Sequence, residues 1–71
     1  MGSDVALRRG EAAAARDRYE QALSIQRQLG SRWGAAQVLN NLGEVARYEG
    51  DYARAGQLYE ESLALFKELG S

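Results

Sequence analysis

Glu60 and Glu61 are the only adjacent carboxylates in the chain. A carboxylate pair can divide acid and base work. Neighbours on a helix, however, diverge by about 100° and cannot meet at one substrate atom. There is no His, which removes the commonest general base and metal ligand and leaves no Ser with an imidazole to activate it. There is no Cys to form a thiolate site or a disulfide. Gly10-Glu11 and Gly50-Asp51 lack the pattern of a phosphate-cradling loop. Arg8, Arg9, Arg16 and Arg18 cluster near the start, but Glu11, Asp17 and Glu20 interleave with them, so they are no nucleic-acid stripe. The expectation is a protein with no catalytic residues, no cofactor and no metal.

Binding is better served. Trp33, Gln37, Asn40, Glu44 and Arg47 are spaced by alternating steps of four and three, with Tyr48 adjoining, and so share one helix face. They are mostly polar and do not belong to a core. The amide of Asn40 offers donors and an acceptor and can mimic a strand edge for a guest chain; Asn41 points nearer the helix junction. Trp33, the only Trp, is either a rigid groove anchor or a structural residue closing the Gly30 turn against Leu29. Arg47 can hold a guest carboxylate or simply pair with Glu44 three residues away.

These side chains need elements to carry them. Seventy-one residues make one domain at most. A net charge of -1 argues for neither nucleic acid nor a membrane surface. No apolar run approaches the ~20 residues of a membrane span. The expected setting is cytoplasmic. Pro and Thr are absent, Ala and Leu abound, and Val5, Val38, Val45 and Ile25 are the only β-branched residues, so the fold class expected is all-α. Met1-Gly2-Ser3 reads as an added leader outside the fold.

The chain also echoes itself at a spacing of 40. Between positions 5–31 and 45–71, 11 of 27 residues are identical, among them Gly10/Gly50, Ala15/Ala55, Tyr19/Tyr59, Leu23/Leu63 and Gly30/Gly70. Turn signals at Gly30-Ser31 and Gly50-Asp51 delimit three main helices over 11–29, 31–49 and 51–69. Ser31 and Asp51 can cap helix starts, and Gly30, Gly50 and Gly70 can end helices in the left-handed conformation. Residues 4–9 are either a separate helical remnant before a Gly10-Glu11 turn or the start of one long helix to Leu29. Apolar stripes run through Ala12, Ala15, Tyr19, Ala22, Leu29; through Ala35, Val38, Leu39, Leu42, Val45, Ala46; and through Tyr52, Ala55, Tyr59, Ser62, Phe66, Leu69. Gly43 lies mid-helix, where Gly costs ~1 kcal/mol against Ala, and implies close approach by another backbone, with Ala55 expected opposite.

Leu39, Leu42-Gly43, Ala46, Gly50-Asp51-Tyr52, Ala55, Tyr59 and Leu63 resemble the signature of the tetratricopeptide repeat, and Gly10, Ala15, Tyr19 and Ala22 supply an earlier copy. The spacing of 40, against the usual 34, is similar to the longer variety in kinesin light chain-like proteins and large bacterial signalling and transcriptional regulators. The resemblance implies antiparallel helix pairs of an α-solenoid: an incomplete repeat over 4–30 and a complete one over 31–71, excised from a longer array. It implies a non-catalytic interaction module whose first helix of each pair lines a concave face. Trp33, Gln37, Asn40, Asn41, Glu44, Arg47 and Tyr48 would there hold a peptide or protein partner. A solenoid needs about three repeats to bury a continuous core. The alternative reading is therefore a fragment that self-associates, by default as a dimer, through faces around Tyr19, Tyr59, Leu63 and Phe66.

Overall fold

The computed structural model describes residues 2–70, and side chains from Gly10 onward. The side chains of Arg8 and Arg9 from the basic cluster, and the ends at Met1 and Ser71, lie outside the described residues. Three helices follow in order: α1 (Gly2–Leu29), α2 (Arg32–Tyr48) and α3 (Tyr52–Gly70). Helix α2 packs against both others, and the body is flat and elongated, 46 × 22 × 14 Å.

The corners follow from local chemistry. Gly30 and Gly50 hold φ of 73° and 85°, a region costly for any residue with a Cβ. Ser31 sits in extended backbone and its hydroxyl accepts from the Gly34 amide at 3.1 Å. The Asp51 carboxylate accepts from the Arg54 amide at 3.3 Å. Both cap otherwise unpaired N–H groups.

One alternative about ends is decided and one expectation is corrected. There is no turn at Gly10-Glu11: α1 is one continuous helix from Gly2, not a helix beginning at residue 11. Asp51 has the short carboxylate of an N-cap, whereas Glu11 at the echoing position is a helix-interior residue. Nothing there competes with propagation through Gly10. Gly70 has no positive φ and closes α3 as an ordinary helical residue.

The core lies where α2 meets its neighbours. Val38, Leu39, Leu42, Ala46, Ala55 and Leu58 form it, and Tyr19, Ala22, Leu23, Tyr59 and Leu65 pack around them. Full burial of a Leu side chain contributes about 1.5–3 kcal/mol. Leu39 and Leu42, at 2% and 3% exposure, are therefore the principal apolar anchors. Ser62 is buried, and its hydroxyl donates to the Ala36 carbonyl at 2.7 Å, tying α3 to the first turns of α2. At the surface Arg16 donates to both oxygens of Glu49 at 3.1 and 3.0 Å, and Arg54 pairs with Glu20 at 3.6 Å, linking α3 to α1.

The nearest neighbour of Gly43 is Tyr59 and not Ala55. A Cβ there would lie 2.7 Å from a ring carbon of Tyr59, so the glycine makes room for an aromatic face rather than a backbone. The apolar stripes also stop short of burial at their ends: Leu29, Tyr52 and Leu69 are exposed.

Candidate functional site

Helix α2 divides cleanly. Ala35, Ala36, Val38, Leu39, Leu42, Gly43 and Ala46 are buried on one side. Trp33, Gln37, Asn40, Asn41, Glu44, Arg47 and Tyr48 are all exposed. The seven residues singled out in the sequence therefore share the solvent side of the helix whose other side holds the core.

Trp33 reaches along this surface to α3. Its ring meets Phe66 edge-on, with centroids 5.1 Å apart and planes at 72°, a favoured aromatic geometry. Leu29 stays exposed and is not its cover. More than half of Trp33 remains open, so a rigid ring is held on one side and presented on the other. Among the described residues, the side-chain amides of Gln37, Asn40 and Asn41 make no hydrogen bond.

Glu44 and Arg47 pair at 3.4 Å, both largely solvated, a contact that contributes a few tenths of a kcal/mol. Beneath them lies the Tyr59 hydroxyl, buried without a hydrogen-bond partner among the described residues. Burial, then the nearby Glu44 carboxylate, push its ionisation above the ordinary 10.0, and Arg47 opposes the shift.

Sequence periodicity missed what α1 adds. Glu11 and Ala12 join Glu44, Val45 and Tyr48 around an open concavity of about 550 Å³ at the end of the stripe. A second, of about 570 Å³, lies elsewhere, between the C-terminal end of α1 and Glu61, Ala64 and Leu65 of α3, floored by Ala35 and Leu39. Both arise from the angle between helices, which single-helix spacing does not encode. The four residues expected to be bare are divided. Leu63 is 54% exposed, while Tyr19, Tyr59 and Phe66 are half-buried against their own chain.

No group of His, Cys, Asp or Glu among the described residues is arranged to hold a metal, and no described helix is long and apolar enough to cross a membrane. An antiparallel helix hairpin with a preceding partner helix, one buried seam and a free polar face defines a helical-repeat scaffold. The chain matches the tetratricopeptide repeat model over residues 3–68 and belongs to that family. Curated proteins and solved structures offer no match to it.

Proposed function

We propose that the chain is a non-catalytic, cytoplasmic interaction module that holds an extended peptide or protein segment on the solvent face of α2. The observation that carries this is the exposure of Trp33, Gln37, Asn40, Asn41, Glu44, Arg47 and Tyr48 on one helix whose opposite side is core. Such a face costs nothing in packing and is free for recognition. Asn40 is central to it, with the N–H donors and the carbonyl acceptor of its amide free to bond a guest backbone. Trp33 at one end supplies contact area and Arg47 near the other supplies charge. Membership of a family of interaction scaffolds supports the same reading.

The test is a display screen for peptides that bind the intact chain, followed by Asn40→Ala. The variant should keep its helicity and melting behaviour and lose about tenfold or more in affinity. Unchanged affinity would move the site elsewhere.

A second reading is self-association. It is favoured by Tyr52 and Leu63, which are 71% and 54% exposed on α3.

A further inference from the structure

The echo at 40 residues makes α1 and α3 the same kind of helix in two settings. On α1, Ala12, Arg16, Tyr19, Leu23 and Gln26 follow steps of four and three, and all are buried or half-buried. Forty positions on, the same stripe reads Tyr52, Gly56, Tyr59, Leu63 and Phe66. Here Tyr52, Gly56 and Leu63 are exposed, and a Cβ on Gly56 would meet nothing within 4 Å. Of this face, covered on the first helix, three of five positions are open on the third, while Tyr59 and Phe66 stay half-buried against their own chain. The α3 face contains no charge, although a solvated helix face ordinarily carries several.

We propose that a second copy of this chain covers it, with the two α3 helices antiparallel about a two-fold axis at Tyr59. This rests on the self-association reading above and gives it a surface. Reversal about Tyr59 sets Tyr52 of each copy against Phe66 of the other and brings Leu63 to the small residues Ala55 and Gly56. At Leu63 a large side chain thus meets small ones, while aromatic rings meet one another at the axis and at the ends. Antiparallel alignment also opposes the helix dipoles and brings the Lys67 end of one α3 to the Asp51 end of the other. A glycine in the middle of an exposed helix otherwise only weakens it. Trp33, seated on Phe66, lies at the rim and reports on the contact.

The experiment is sedimentation equilibrium of the 71-residue chain from low micromolar to millimolar concentration, with Trp33 fluorescence on the same dilution series. The expected result is a mass rising to two chains with a concentration-dependent Trp33 signal. Leu63→Asp should weaken the dimer at least about tenfold. Ile25→Asp, on an exposed part of α1, should leave it alone. Gly56→Ala should act in opposite directions, raising the thermal midpoint of the dilute chain while weakening the dimer. Glu60→Gln should tighten the dimer, because the axis brings the two Glu60 side chains near each other. A single-chain mass throughout would overturn self-association altogether. A dimer that tolerates Leu63→Asp, or that Gly56→Ala does not weaken, would keep the dimer and overturn this face.

Discussion

Gly43→Ala tests how α2 and α3 are held together. On an open helix face the change would stabilise by about 1 kcal/mol, because Ala restricts the unfolded backbone and favours the helix. Here the added carbon would lie 2.7, 2.8 and 3.2 Å from three ring atoms of Tyr59. Ordinary carbon contacts begin near 3.5 Å, so the ring must retreat by close to 1 Å. Tyr59 has little room to do so, packed against the core cluster with its hydroxyl buried. Overpacking of this kind costs about 1–3 kcal/mol. The cost exceeds the gain, and the net expectation is a loss of about 1 kcal/mol, or a thermal midpoint lower by about 4–8 °C for a domain of this size. In a Tyr59→Leu background the ring is gone and the sign should reverse, Gly43→Ala then stabilising by up to about 1 kcal/mol. Urea melts followed by circular dichroism at one dilute concentration give all four corners of the cycle. Should Gly43→Ala stabilise the otherwise unchanged chain, the contact is not tight and the glycine has no packing role. If the two changes are additive, the partner is not Tyr59.

Ser31→Ala should cost about 1 kcal/mol by freeing the Gly34 amide, and thermal melts of the two proteins measure it; no loss would mean that the cap is redundant. Of the four tyrosines, Tyr59 should ionise above the ordinary value, which an ultraviolet titration of the chain and of Tyr59→Phe would assign. Burial and Glu44 favour the neutral phenol in the folded state, so the stabilising effect is present below the unfolded value and lost as pH rises through the folded one. Glu44→Gln should bring that ionisation down without abolishing the shift, since burial is the larger cause.

The corners were legible because their chemistry admits few residues. A left-handed turn requires Gly, and a helix start wants a short oxygen-bearing side chain, so Gly30-Ser31 and Gly50-Asp51 announce themselves. The division of α2 was legible for the same kind of reason, since 3.6-residue periodicity assigns each side chain to a face before any neighbour is known. Gly10 was not decisive. Glycine permits a turn and tolerates a helix, and Glu11 favours the helix. The partners across helices were hidden as well. Tyr59 rather than Ala55 meets Gly43, Trp33 meets Phe66, and Ser62 bonds the Ala36 carbonyl. Each depends on where two axes cross and how far a long side chain leans, which one helix's spacing does not contain. The contribution of Glu11 and Ala12 to the concavity beside Tyr48 was missed for that reason.

The unbroken passage of α1 through Gly10 changes how this unit would join to other chain. At Gly50 the backbone doubles back and returns alongside itself, whereas ten residues into the molecule it goes straight on. A segment fused ahead of Gly2 would therefore depart along the axis of α1 like the handle of a spade instead of nesting beside it. After Gly50 the Asp51 carboxylate caps the elbow, whereas after Gly10 the longer Glu11 lies within the shaft.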